Sequence, residues 1–330
     1  MFYLAIDFYF LIHAFLIFNV YEANPWIKKG NAFQFSVASR LLSRTLKRMN
    51  ALTPSTLAAL EELLQNTARS VPSEYVPIFL AIPSGNQLGQ IAGHLHSDFF
   101  TFLKHSLTTS PIAGVHCDSH RMLLDGRRPA LLSKTMRALA DRMRQGGFIP
   151  GWRNEEFAFI DAQGHSLFQL ERAAFRTFGL KSMASHINGF TENGQIWLGR
   201  RSENKQIDPG KLDNVSAGGI SADETPWVCA SRELWEEAGI PKAIASEIQP
   251  AGRMEMRRPT PPLGFHAESL FIYDLLLPSN LLPTNRDGEV AGFIAVSFGE
   301  AAARILADEF TADAALVTAD FILRRSNASA

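Results

Sequence analysis

The 330 residues allow about two domains. An apolar content of 46% and a charged content of 20% belong to a globular protein, and a net charge of −1 lacks the basic field of a general nucleic-acid coat. Cys117 and Cys229 are the only cysteines; they form no disulfide framework and lack metal-ligand spacing, so a reducing compartment, the cytoplasm, is expected.

The chain opens on MFYLAIDFYFLIHAFLIFNV, with 17 apolar residues in 20, long enough to cross a bilayer. It has neither a basic start nor a small-residue cleavage site, which argues against a signal peptide. Asp7 at a bilayer centre costs roughly 2.5–3.5 kcal/mol, an amount a dozen large apolar side chains can offset. In that reading Lys28, Lys29, Arg40, Arg44, Lys47 and Arg48 hold the rest of the chain in the cytoplasm. The preferred reading makes Met49 the biological start and residues 1–48 an upstream extension, because a helix cap and leucines at helical spacing follow directly.

Residues 49–148 alternate helix and strand signals, as in a small α/β accessory domain. Leu52–Thr67 reads as helix, Tyr75–Ile82 as a strand broken by Pro77 and Pro83, and Asp98–Leu107 and Ser133–Gln145 as helices. His94, His96, His105, His116 and His120 show no repeated ligand spacing and read as structural or solvated histidines. Residues 149–330 form the second domain. Hairpins are predicted for Phe157–Ile160 with Ser166–Leu170 and for Ala184–Phe190 with Gln195–Arg200. Strands follow at Arg253–Met256, His266–Leu276 and Val290–Val296, then helices at Gly299–Leu306 and Ala312–Arg324.

Between those strands lies the most informative stretch. Gly218 is followed by Glu224, Arg232-Glu233-Leu234, Glu236-Glu237 and Gly239-Ile240, spaced Gly-x5-Glu-x7-Arg-Glu-apolar-x-Glu-Glu-x-Gly-apolar. Thr225-Pro226 starts a helix and Gly239 ends it. Glu233, Glu236 and Glu237 then project from one face. Three like charges there repel unless they face solvent or hold a hard cation, and Mg²⁺ takes such oxygen ligands together with substrate phosphates.

This spacing is the Nudix box, complete at every position, and the chain resembles the Nudix hydrolases. The resemblance implies an α/β/α sandwich. It makes Glu233, Glu236 and Glu237 the catalytic ligands of Mg²⁺ or Mn²⁺, with a backbone oxygen at Gly218, and gives Glu224 and Arg232 a structural pairing. It implies a small-molecule diphosphate as substrate, cleaved to a monophosphate, and no nucleic-acid partner; a membrane enters only if residues 1–20 are an anchor. Glu289 is the expected extra carboxylate from a later loop and Glu268 its rival.

A narrower resemblance runs from Met49 to the C-terminus. Gly151-Trp-Arg-Asn-Glu155, His186-Ile-Asn-Gly189, Trp197-Leu-Gly-Arg-Arg-Ser202, Pro209-Gly-Lys-Leu-Asp-Asn214 and Asp287-Gly-Glu-Val290 are similar to Nudix proteins related to the region fused to thiamine pyrophosphokinase. That implies hydrolysis of thiamine diphosphate or its oxidised, damaged forms. Nucleotide sugars, dinucleotides and oxidised nucleotides remain alternative substrates, and a non-catalytic binding module remains an alternative function. An isomerase of isopentenyl diphosphate needs a cysteine at the site entrance, where neither Cys117 nor Cys229 is placed.

Arg200, Arg201, Lys205 and Lys211 are phosphate-binding candidates, because arginine makes bidentate phosphate contacts; surface cations are the plainer reading. The segment Arg258–Gly264 is a stiff loop suited to the substrate's organic end, with Arg258 as a binding candidate. His186, Trp197 and Phe265 are candidate stacking residues or, more simply, core.

Overall fold

A computed structural model describes residues 52–81 and 89–327. The apolar stretch at 1–20, the alternative start at Met49, and Pro83 lie outside the described residues. From Pro54 onward the chain is one unit.

The first layer is a four-stranded sheet with its helices. Helix α1 (Pro54–Gln65) is followed by β1 (Tyr75–Ala81), β2 (Gln90–His96), α2 (Ser97–Thr109), β3 (Val115–Cys117), β4 (Met122–Asp125) and α3 (Pro129–Gln145). The strand order is β2-β1-β4-β3, with β1 and β4 parallel. Pro77 does not break β1. Pairing with β4 begins only at Ile78, so the missing N–H at Pro77 costs no ladder bond on that side. His94 and His96 lie in β2, which the histidine-rich reading had not marked as a strand.

The hairpin β5 (Glu156–Ile160) and β6 (Ser166–Glu171) and the short helix α4 (Arg172–Phe178) come next. Their side chains share one apolar core with the first layer. Ile78, Leu95, Leu124 and Leu139 pack in the same cluster as Phe157, Phe168, Phe175 and Phe178, so this core runs across the 148/149 boundary expected from the sequence.

The second sheet has seven strands. They are β7 (Lys181–Phe190), β8 (Gln195–Arg201), β9 (Leu212–Asp213), β10 (Ser216–Gly219), β11 (Gln249–Thr260), β12 (Gly264–Leu276) and β13 (Val290–Ser297). The main path is β11-β12-β7-β8-β13, with β10 paired to β7 and β9 to β8. Only β12 and β7 run parallel; every other pairing in this sheet is antiparallel.

The period of two in a strand decides which helix meets which face. Ala184, Leu270 and Ile272 pack with Leu316 and Val317 of α8 (Ala312–Asn327) and with Leu63 and Leu64 of α1. Ile187, Tyr273 and Leu275 point to the opposite face, against Ala230 and Leu234 of α5 (Pro226–Glu236) and Ala245 of α6 (Lys242–Ala245). Helix α7 (Phe298–Leu306) packs on β13, β8 and α8. Burial on both faces suits the apolar run Leu270–Tyr273 within β12. The result is an α/β/α sandwich preceded by a small α/β region.

The stiff segment expected at 258–264 is shorter than expected. β11 continues through Thr260 and β12 begins at Gly264, because Arg258↔His266, Pro259↔Phe265 and Thr260↔Gly264 are paired. Only Pro261–Leu263 turn the chain, with a cis Pro261–Pro262 bond.

Candidate active site

Helix α5 carries the box. Thr225 Oγ1 accepts the Val228 N–H at 3.3 Å, and Pro226 occupies the first helical turn, where a missing donor costs nothing. The helix stops at Gly239, whose φ of +62° favours glycine. A Cβ there would lie 2.6 Å from Thr284 O.

Arg232 is the hub. Its Nε and Nη2 donate to the two oxygens of Glu224 at 2.6 and 2.9 Å, while Nη1 donates to Glu233 Oε1 at 2.7 Å and Glu236 Oε2 at 2.9 Å. The Glu224 pair matches the sequence expectation; the contacts with Glu233 and Glu236 go beyond it. The Arg232 hydrogen bonds hold the Glu224 carboxyl below its ordinary range. Glu237 turns away from this hub, and its Oε2 accepts the Ala217 N–H at 2.9 Å.

Glu233 and Glu237 are buried. Burial pushes the Glu233 carboxyl up to about 7 despite the charge and hydrogen bond of Arg232. Burial, then the charge of Glu233, raise Glu237 well above the usual carboxylate range. One guanidinium thus faces Glu224, Glu233 and Glu236, with Glu237 beside them. That oxygen-rich, cation-poor set suits a hard divalent ion. In this geometry Glu233, Glu236 and Glu237 do not close on one point, because Arg232 draws two of the carboxylates and a backbone N–H takes the third.

Gly218 lets Glu233 sit where it does. A Cβ on Gly218 would come within 1.9 Å of Glu233 Oε1. In Gly218→Ala the carboxylate must swing away while the fold is retained. We expect kcat to fall by about 10²-fold, the scale of an ångström-sized misplacement, with a nearly unchanged melting temperature. Wild-type turnover in this variant would show that Glu233 need not abut β10.

Beside β10 opens a cleft of about 640 Å³. Ala217, Gly218 and Gly219 form part of its wall, and Arg153, Arg172, Arg176, Arg201, Lys205 and Arg258 also line it. Arg172 bonds Glu155 at 3.0 Å and also feels the charges of Glu268 and Glu233, so it lies between the box and the far end of the cleft. Lys205 Nζ donates to Glu289, and Arg153 Nη1 lies 4.0 Å from the other oxygen of that carboxylate. Burial pushes Glu289 up, but the hydrogen bond and charge of Lys205 outweigh it and hold the group below its ordinary value.

Of the cations singled out in the sequence, Arg201, Lys205 and Arg258 line the cleft. Arg201 is also tied to Asp213 at 3.1 Å. Arg200 donates to Gly210 O at 2.7 Å and Lys211 reaches Asp308 at 3.3 Å; neither lines the cleft. His186 lines it and meets Asn214 Oδ1 at 2.9 Å. Trp197 packs against the core on the α5 side, and Phe265 is buried against Tyr75 and His94. Glu268 lies in the cleft, bonded by Ser182 Oγ at 2.7 Å and by His266 Nε2 at 3.2 Å. Cys229 is buried on the inner face of α5 against Gly218 O and Gly219 O, and burial pushes its thiol up to about 12. That thiol is no nucleophile.

Sequence reading missed Arg153, Arg172, Arg176, His266 and Asp313. Of these only Arg153 lies in a motif segment quoted above, Gly151–Glu155, and nothing in its spacing marks it as a neighbour of the box. Among the described residues, the group of His, Cys, Asp or Glu that closes within 4.8 Å is His266, Glu268 and Asp313.

Residues 184–321 match the NUDIX domain. "Nudix hydrolase 24, chloroplastic" of Arabidopsis thaliana is 34% identical over 245 residues, covering 71% of this chain and 65% of that protein. "Nudix hydrolase 20, chloroplastic" of the same plant is 32% identical over 250 residues, covering 71% and 66%. An uncharacterised protein of Saccharomyces cerevisiae is 32% identical over 193 residues, covering 53% and 56%. The chain thus spans just under two thirds of the length of the two plant relatives. The complete box on α5, the family match around it and these relatives lead to one statement: the chain carries a Nudix domain, preceded by a small α/β region, and is homologous to Nudix hydrolases.

Proposed function

We propose that this protein hydrolyses an organic diphosphate to a monophosphate with the help of Mg²⁺ or Mn²⁺. The observation that carries the reading is the abutment of an oxygen-rich, cation-poor box on a cleft lined by arginines and Lys205. Glu233, Glu236 and Glu237, with backbone oxygen at Gly218, are the groups we assign to hold the ion. Bound there, it supplies charge neutralisation to the diphosphate. Arg153, Arg201 and Lys205 hold phosphate oxygens on the opposite side, and Glu289 is a carboxylate kept ionised beside them. Arg232 and Glu224 keep the β10–α5 connection in register with the helix.

For the substrate we favour thiamine diphosphate or its oxidised forms, on the similarity of the Gly151–Glu155, Trp197–Ser202 and Asp287–Val290 segments noted above. We assign the chemistry to residues 149–330 and the shaping of the cleft's far end in part to residues 49–148. Both thiols are free, in keeping with a reducing compartment such as the cytoplasm; the two plant relatives are chloroplastic. Among the described residues no helix is long and apolar enough to cross a membrane.

A panel of diphosphates with Mg²⁺ and Mn²⁺, scored for monophosphate release, tests the reading. We expect turnover of thiamine diphosphate and its oxidised forms to exceed that of nucleotide sugars and dinucleotides. The reverse order overturns the substrate, and no turnover of any diphosphate overturns the activity in favour of a binding module.

A further inference from the structure

Among the described residues, six buried side-chain polar atoms lack a hydrogen-bond partner. Three of them, Arg258 Nε, His266 Nδ1 and Asp313 Oδ1, belong to residues that line the one cleft. Buried orphans are rare in folded proteins and ask for an explanation. These three come from different elements. Arg258 and His266 are cross-strand partners on β11 and β12, and Asp313 lies in the first turn of α8. His266 is 2% exposed, and its ring, the Glu268 carboxylate and the Asp313 carboxylate have ligand atoms within 4.8 Å of one another.

Their hydrogen-bonding capacity is specific. Glu268 already accepts from Ser182 and pairs with His266 Nε2. That contact leaves His266 Nδ1 as the unused ring nitrogen. Arg258 Nε–H is a donor only, and the Asp313 carboxylate is an acceptor only. A metal ion is a poor occupant, because the Arg176 guanidinium acts electrostatically on Glu268 and Asp313 and Arg258 is the cross-strand partner of His266. Nε2–H donates to Glu268, so Nδ1 accepts, and an organic group with an amino nitrogen, which carries two N–H donors, beside an acceptor satisfies all three atoms.

We infer that Arg258, His266 and Asp313 form a specificity subsite for the organic end of the substrate, reading the edge of a planar nitrogen heterocycle that bears an exocyclic amino group. The amino N–H donates to Asp313 Oδ1. The neighbouring ring nitrogen or carbonyl accepts from Arg258 Nε–H, and His266 Nδ1 accepts the second amino N–H. The apolar walls at Phe148, Phe175 and Leu263 suit the flat face of such a ring. Arg172, which feels both Glu268 and Glu233, spans the interval to the box. The inference rests on the proposed diphosphatase reading for its orientation, with the phosphates toward Gly218.

The test is a matched pair differing only in that substituent: thiamine diphosphate against oxythiamine diphosphate, and CDP against UDP, with Mg²⁺. Wild-type protein should favour the amino member of at least one pair by about 10–10²-fold in kcat/KM, the worth of one charged hydrogen bond. Asp313→Asn, which offers a donor as well as an acceptor, should bring that ratio close to one, with the larger loss on the amino member. Equal kcat/KM for both members of both pairs in wild-type protein overturns the subsite. So does a uniform loss on both members in a folded Asp313→Asn protein. If no diphosphate is cleaved, calorimetric titration with 4-amino-2-methylpyrimidine and its 4-hydroxy counterpart reads the subsite alone. Preferential binding of the amino compound, lost in Asp313→Asn, keeps the inference while the activity falls; no preference ends both. Titration with Mn²⁺ alone is the last arm, and loss of one bound ion in His266→Gln would replace the organic subsite with a metal site.

Discussion

Glu237→Gln is expected to fold as well as the parent and to hydrolyse its diphosphate at least about 10²-fold more slowly. The glutamine keeps an oxygen able to accept the Ala217 N–H now bonded to Oε2 at 2.9 Å. It removes a charge that burial and Glu233 already disfavour, so the melting temperature should hold or rise. What is lost is anionic oxygen at the metal position. Removing even an outer partner of a metal ligand costs about 10–100-fold, and a direct ligand should cost more. Full kcat in a folded Glu237→Gln protein would remove this residue from the metal assignment.

A second large effect is expected at Glu289. It lies outside the box yet meets Lys205 and Arg153 at the cleft wall, and Lys205 holds it ionised. An ionised carboxylate beside the cations that line the cleft is suited to take a proton from an attacking water. Glu289→Gln should lower kcat by about 10²–10⁴-fold, the range for loss of a general base, with KM changing far less. A kcat equal to the parent's would exclude Glu289 from proton transfer and leave it as the counter-ion of Lys205. The measurement is steady-state kinetics across pH, because a lost base also removes the acidic limb of kcat.

The box helix was legible because its signals are local. A capping threonine, a proline after it, a terminal glycine and glutamates at helical spacing all lie within one short stretch. β12 was legible for a related reason: residues buried on both faces leave the apolar run Leu270–Tyr273. The two-residue β9 and the Ser216–Gly219 strand β10 carry no alternation, and they exist because β8 and β7 are there to pair with them. Helix α4 is seven residues long, too short for a periodic pattern to declare itself. The far half of the cleft was illegible for a deeper reason. His266 and Asp313 are distant in sequence, and each alone reads as an ordinary buried or charged residue. Their shared character appears only as polar atoms left without partners after the chain has folded. Arg200 and Lys211 show the converse: close to the box in sequence, they are drawn off by Gly210 O and Asp308.

The apolar cluster that joins Ile78 and Leu95 to Phe157, Phe175 and Phe178 has a practical meaning for anyone dissecting this chain. A shortened version beginning at residue 149 would present those phenyl rings to water and tend to aggregate, whatever its box contains. One beginning at 184, where the family match starts, would keep every box residue yet discard Arg153, Arg172 and Arg176. Such a fragment would keep the box together with Arg258, His266 and Asp313 but lose three cations of the cleft wall, so minimal versions for screening should begin no later than α1.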